Sequence, residues 1–316
     1  MSTRAASVYR EADVLGALDL GAVIDAVEAV FAAQATGAAT GIAKTMTTWN
    51  PSSSAHALGA VDSTEHLAAF KTWVNTPAGA SAVVTVFDTT DGQLLAVVEA
   101  GSLGALRTAA VSGVATRWLA APDADVLAIA GTGRQALRQV QAVHLVRPLR
   151  RVQVWSPTAE HCAAFAHRVT DEVGIPAVPA QSLAEAVAGA GVITLVTRAT
   201  EPFFVAEHLH PQVHLNAVGA ILPANAEFDP ALLAGAALTV VDDLANAQRA
   251  SRELREHYGN DWSPVRTLGE VVTGAVKRPG TDPRPTVFKG LGTGLADLAA
   301  ATAFLRAVEP ERFERR

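Results

Sequence analysis

The stretch Val126-Leu127-Ala128-Ile129-Ala130-Gly131-Thr132-Gly133-Arg134-Gln135-Ala136 carries the decision about the fold. Five apolar residues run into two glycines one residue apart, and a small residue follows three places later. A strand that enters a glycine turn and leaves as a helix produces this pattern. Its first glycine permits the tight turn, its second leaves the backbone open to a pyrophosphate, and Ala136 lets helix and strand pack closely. Unpaired N–H groups at the helix start face the anion. Alone, the pattern also suits an ordinary strand–helix turn, or the site of another nucleotide such as S-adenosylmethionine. What lies downstream favours a dinucleotide.

Downstream, strands and helices alternate. A helix from near Gly133 to Val146 stops before Pro148, and a strand follows at 152–155. Ser156 and Pro157 read as an N-cap with proline in the first turn. A short strand is expected at 175–178, and Ser182 and Glu185 form a capping box for the next helix. Further strands are expected at 192–196, 214–218 and 238–241. Apolar strands separated by helices predict a parallel sheet of about six strands, buried on both faces. The second strand ends Trp155-Ser156-Pro157-Thr158, without the acid that usually binds the ribose hydroxyls of NAD. Ser156, Thr158 and nearby Arg134 would not repel an added phosphate, so the cofactor expected is NADP(H), with NAD(H) as the alternative.

Upstream, residues 1–40 read as helical, with Asp13 as a cap, and 82–87 with 94–99 read as a hairpin around Asp91-Gly92. Helical spacing returns at 107–120. After Val265 the chain is rich in proline and glycine, and a last helix is expected from about Ala296 to Val308.

The chain has 316 residues, a length for two domains. Its formal net charge of −6 provides no basic field for nucleic acid or an anionic membrane. Cys162 is the single cysteine, so an internal disulfide and a cysteine metal cluster are both excluded. No apolar run approaches the ~18 residues of a membrane span, and the N-terminus lacks an apolar signal core. A cytoplasmic protein is expected.

Several segments together resemble the ornithine cyclodeaminase/μ-crystallin family: Lys71-Thr72-Trp73-Val74-Asn75, Leu106-Arg107-Thr108-Ala109-Ala110, the glycine motif, His214-Leu215-Asn216-Ala217-Val218-Gly219, and Val287-Phe288-Lys289-Gly290-Leu291-Gly292 followed by Asp297. The resemblance covers nearly the whole chain from about residue 40. It implies an α/β fold in which a Rossmann-type doubly wound parallel sheet is inserted into an α+β substrate and dimerisation domain. The expected division is 1–120 with 290–316 for the substrate domain and 121–289 for the dinucleotide domain. It also implies a homodimer and an NAD(P)H-dependent oxidoreductase. The substrates expected are a small carboxylate-bearing imine, or a 2-oxo acid plus an amine.

Carried over position by position, the resemblance places Lys44, Lys71 and Arg107 around the substrate carboxylate, with Lys71 as the catalytic candidate. The residues themselves support the last two. Arg107 offers a planar fork for a carboxylate, and Lys71 sits in an apolar stretch where a lysine needs a reason to be present. An exposed Lys71 on an edge strand and an Arg107 in an internal ion pair are the structural alternatives. Lys44 is weaker, because Gly41-Ile42-Ala43-Lys44-Thr45-Met46 departs from the proline-containing family pattern. The cofactor set implied is Thr108, Gly131, Thr132, Gly133, Arg134, Gln135, Ala136, Ser156, Thr158, Thr197, Gly219 and Leu291, with the nicotinamide near Gly219 and Leu291, and Leu291 also facing the substrate.

One departure bears on the reaction. Cyclodeaminases carry an aspartate where this chain has Ile221, which can neither bind an ammonium nor move a proton. Ring closure of ornithine is therefore disfavoured, while imine reduction, alanine dehydrogenase activity and silent ligand binding stay open. Either of His56 and His66 could donate a proton, but both read better as surface loop histidines. Asp242-Asp243 could do acid–base work but reads better as a helix cap, Glu227 as a helix start and Glu311 to Arg316 as a solvated tail. His208, His210 and His214 do not have metal-ligand spacing.

Overall fold

A computed structural model describes residues 5–313, so Glu314, Arg315 and Arg316 of the expected tail lie outside the described residues. The chain divides into two units: one runs through Ala110 and resumes at Thr293, and the other is Val111–Gly292.

The first unit is a six-stranded sheet with helices on one face. Its strands are β1 (Ser7–Tyr9), β2 (Ala39–Asn50), β3 (Ser53–Asp62), β4 (Leu67–Thr76), β5 (Gly79–Asp88) and β6 (Leu94–Glu99), in the order β1-β6-β5-β4-β3-β2. All neighbours are antiparallel except β1 and β6, which run parallel. Leu58, Lys71, Val84, Val98 and Tyr9 form one register row. Because successive side chains alternate faces, this row points to the helices Leu20–Ala35 and Gly294–Val308 that cover the sheet. The adjoining row, Ile42, Gly59, Phe70, Thr85, Val97 and Val8, points the other way. Ile42, Phe70 and Val8 of that row are exposed.

Three expectations change here. Residues 1–40 are not all helix: Ser7–Tyr9 pairs with β6, and the helical stretch breaks at Leu18 into Glu11–Ala17 and Leu20–Ala35. Asp13 caps from inside the first helix, accepting from the Arg10 N–H, while Asp19 is the N-cap of the second. The hairpin at Asp91-Gly92 stands, but β2, β3 and β4 extend it into a wide sheet.

The second unit is a parallel sheet of eight strands rather than six. They are β7 (Val126–Ala130), β8 (Arg151–Trp155), β9 (Ala177–Pro179), β10 (Val192–Leu195), β11 (His214–Ala217), β12 (Leu238–Val241), β13 (Val265–Thr267) and β14 (Thr286–Lys289), in the order β13-β12-β14-β11-β10-β7-β8-β9. The two additions are β13 at an edge and β14, inserted between β11 and β12. The strand order reverses between β7 and β10, the switch point where open α/β sheets bind ligands at the carboxyl ends of their strands. Apolar clusters fill both faces of the sheet, one around Leu215 and Phe228 and one around Ile129 and Phe165. Among the described residues, no helix is long and apolar enough to cross a membrane.

Candidate functional site: a carboxylate anchor and a dinucleotide cradle

In the first unit, Lys71 occupies an otherwise apolar register row and is only 8% exposed. Its ammonium donates to Asp297 Oδ1 at 3.1 Å. Arg107 brings Nε to 3.2 Å from the same oxygen, without hydrogen-bond geometry. Asp297 Oδ2 is buried and meets no donor. Two cations thus share one oxygen of a buried carboxylate that keeps half its acceptor capacity unused. Burial is the main influence on Lys71 and pushes its pKa below the ordinary lysine value; Asp297 opposes the shift and Arg107 adds to it. Gly104 makes room, since a Cβ there would stand 3.0 Å from Lys71 Nζ. The edge-strand alternative for Lys71 fails, because β4 lies inside the sheet.

Lys44 joins this group through an aromatic ring. It lies at the irregularity between Ile42 and Thr45 where β2 slips register against β3, the kind of bulge that re-aims a side chain. Its Nζ is 5.3 Å from the Trp73 ring centroid, and Lys71 Nζ is 5.4 Å from the same ring. His56 stacks on Trp73 at 4.5 Å with the planes 2° apart, and its Nε2 meets Ser54 Oγ at 2.8 Å. His56 is therefore a strand residue rather than a loop residue. Burial, then the charge of Lys44, holds its pKa below the usual histidine value. His66 occupies a turn with φ 54°. Thr108, one turn after Gly104, donates its hydroxyl to the Gly104 carbonyl.

In the second unit the glycine turn has the form the motif requires. Gly131 adopts φ +115°, and a Cβ there would lie 2.6 Å from the Val196 carbonyl oxygen. Both facts demand glycine. A Cβ on Gly133 would meet nothing within 4 Å. The space beside Gly133 is therefore open, as close approach by a pyrophosphate needs. Ala136, fully buried, begins the helix Ala136–Val146, and Gln135 rather than Gly133 stands at its N-cap. Thr132 and Gln135 are half-buried, and Arg134 is exposed. At the end of β8, Thr158 and not Ser156 is the N-cap of Ala159–Val173; Ser156 Oγ accepts from the Thr158 N–H at 3.4 Å. No acid stands between Trp155 and Thr158.

Two buried carboxylates organise the loops at the other strand ends. Glu227, fully buried, accepts from Thr197 N at 2.6 Å, Thr197 Oγ1 at 2.8 Å, Gly219 N at 2.8 Å and Ala220 N at 3.1 Å. It starts no helix, contrary to expectation. Asp242 accepts from Leu291 N and from Gly292 N, at 2.9 and 2.7 Å. Asp243 is the helix cap, accepting from Asn246 N at 2.8 Å. Thr197, Gly219 and Leu291 are thus gathered by carboxylates whose part sequence reasoning missed. Ile221 is exposed beside this clamp. His208 Nδ1 accepts from Val205 N, His210 Nε2 lies 3.2 Å from the Val187 carbonyl, and His214 bonds Thr286 and Asn216, so the three histidines serve three different structural contacts.

The chain matches the ornithine cyclodeaminase/mu-crystallin family over residues 5–309. It belongs to that family. It is 39% identical to a ketimine reductase mu-crystallin of Rattus norvegicus over 220 residues, 70% of this chain and 67% of that one. A delta(1)-pyrroline-2-carboxylate reductase of Bacillus cereus is 34% identical over 232 residues, 72% of this chain and 71% of that one. The solved iminosuccinate reductase of Paracoccus denitrificans in complex with NAD+ superposes with a TM-score of 0.90, at 28% identity and 98% of each chain. All three family relatives are reductases whose named substrates carry a C=N bond. The residues of the second unit fit a nicotinamide dinucleotide: an open backbone at Gly133, a turn at Gly131 that admits only glycine, and strand-end loops held by Glu227 and Asp242.

Proposed function

We propose that the chain is an NAD(P)H-dependent oxidoreductase that reduces the imine of a 2-oxo acid to an amino acid, taking a preformed cyclic ketimine or an imine formed from 2-oxo acid and amine. The observation that carries this is the Lys71–Asp297–Arg107 cluster. A buried lysine and a half-buried arginine sharing one oxygen of an aspartate suit a substrate carboxylate, whose burial requires charged donors. Arg107 supplies the planar fork. Lys71 supplies a second charge, and it is the candidate for delivering a proton to the substrate. The dinucleotide, held through Gly131, Gly133, Thr197, Gly219 and Leu291, supplies the hydride. Ile221 offers no group for the side-chain amine of ornithine, so ring-forming deamination is not part of this reading. Retention of both cations argues against a silent binding protein. Alanine dehydrogenase activity is the same chemistry on pyruvate and ammonia.

NADP(H) is the cofactor favoured, because Ser156 and Thr158 stand where an acid would repel the added phosphate. The chain acts as a homodimer in this reading. Ile42, Phe70 and Val74 are exposed on the sheet face turned away from the helices, and a second copy is the partner that would cover such a face. A cytoplasmic setting suits the single buried thiol of Cys162.

The test is cofactor oxidation with cyclic imino acids, and with 2-oxo acids plus amines, using NADH and NADPH, beside L-ornithine with NAD+. Turnover of an imine together with no proline from ornithine is expected. Robust proline formation would overturn the reading.

A further inference from the structure

We infer that Glu227 is a positioning residue for the nicotinamide half of the dinucleotide, acting through the backbone of Thr197, Gly219 and Ala220. The inference rests on the dinucleotide reading of the second unit. In a doubly wound sheet each half holds one mononucleotide, and the glycine turn with the end of the second strand serves the adenosine side. In this sheet that side is β7 and β8. The strands beyond the switch point, β10 and β11, end at Leu195 and Ala217 and lead into the loops that carry Thr197 and Gly219.

Those two loops are held together by one side chain. Oε1 of Glu227 takes the N–H and hydroxyl of Thr197, and Oε2 takes the N–H groups of Gly219 and Ala220. Only a carboxylate does this. A glutamine has one acceptor oxygen, and its NH2 would face N–H donors. Gly219 tolerates no side chain, because a Cβ would collide with the Thr197 backbone and with Glu227 itself. Glu227 is fixed from behind: its own N–H donates to Glu253 Oε1 at 3.1 Å, and Lys289 Nζ donates to that same oxygen at 2.9 Å. Ser251 Oγ donates to Glu253 Oε2 at 3.0 Å. Glu227, Glu253 and Lys289 are all fully buried. Such a buried, fully partnered network fixes one geometry. Here its hydrogen bonds run to two strand-end loops and none runs to the glycine turn itself.

The test compares whole dinucleotide with its adenosine-side fragment. Titration of wild type and Glu227→Gln with NADH and NADPH, and with ADP-ribose and its 2′-phosphate, separates the halves. Losing hydrogen bonds to a charged acceptor should weaken the whole dinucleotide by about 10- to 100-fold, while fragment affinity stays within about threefold. Equal loss for dinucleotide and fragment would show that Glu227 only supports the fold, and no loss would show that the clamp is idle; either overturns the inference. Wild type that binds neither ligand would instead sink the dinucleotide reading. If Glu227→Gln does not fold, Glu227→Asp keeps both acceptor oxygens on a side chain one methylene too short to reach both loops, and the same comparison applies with a smaller loss.

Discussion

Lys71 and Asp297 are 226 residues apart in sequence and 3.1 Å apart in space, Nζ to Oδ1. A strand in the middle of one sheet and the first turn of the last long helix meet there, and the lysine that results is buried with its charge partly compensated. Burial pushes its pKa down, Arg107 adds to the shift and Asp297 resists it.

A pH dependence follows from these signs. A protonated Lys71 is needed to give up a proton, so kcat/KM should fall as pH rises, with the basic limb below the ordinary lysine range. Asp297→Asn removes the group that keeps the ammonium charged. Its basic limb should therefore move to lower pH than in wild type. A pH profile of kcat/KM for both proteins checks this, and a limb that stays in place or moves upward would remove Lys71 from proton delivery.

Gly133 and Gly131 should respond differently to a side chain. Gly133→Val enters open space, so the fold should persist with near wild-type thermal stability while dinucleotide affinity falls beyond detection by fluorescence titration. Gly131→Val meets the Val196 carbonyl at positive φ, and should lose stability as well. Unchanged NAD(P)H binding in Gly133→Val would refute the cradle.

Ser156→Asp tests cofactor choice. A carboxylate at the end of β8 should repel a 2′-phosphate and bond the ribose hydroxyls, shifting the NADPH/NADH ratio of kcat/KM toward NADH relative to wild type. An unaltered ratio of kcat/KM values would mean that this position does not read the ribose.

His214 makes the second unit sensitive to acid. Its ring is fully buried between Thr286 Oγ1 and Asn216 Oδ1, and burial holds its pKa down at about 3, against an ordinary value of 6.5. Below about pH 6.5 the unfolded chain takes up a proton that the folded chain refuses. Stability from this group should fall by about 1.4 kcal/mol per pH unit as pH drops toward 4. Urea unfolding from pH 7 to 4 should show a shallower loss in His214→Gln than in wild type; parallel losses would contradict the assignment.

Much of the second unit was legible because its signals are local. The run at β7, the glycine turn and the alternation that follows lie within short windows. Strand β14 escaped because Thr286–Lys289 is four residues long, follows a proline-rich approach and ends in a lysine. That lysine is buried only because Glu253, 36 residues earlier, receives its charge. In the first unit, β2 offers no clean alternation, since most of its residues are exposed. Lys71 and Arg107 were visible as candidates, through an apolar setting and a resemblance. Asp297 was visible only as part of the resemblance, one acid in the otherwise apolar start of the helix Gly294–Val308, with nothing local to join it to Lys71 and Arg107. Glu227 gave none, because its four donors come from backbone and loops that only the folded sheet brings together.

The carboxylate anchor is most directly tested by one pair of measurements on Arg107→Leu: kcat/KM for a cyclic imino acid that the wild type reduces, and affinity for NAD(P)H. Removing one partner of a buried charge pair should cost about 2–5 kcal/mol in the transition state, which is roughly 30- to several-thousand-fold in kcat/KM. Arg107→Lys should be impaired too, because it keeps the charge and loses the fork. Cofactor affinity should be unchanged, since the glycine turn belongs to the other unit. Turnover lost with NAD(P)H binding intact is the predicted result; near wild-type turnover in Arg107→Leu would contradict the account.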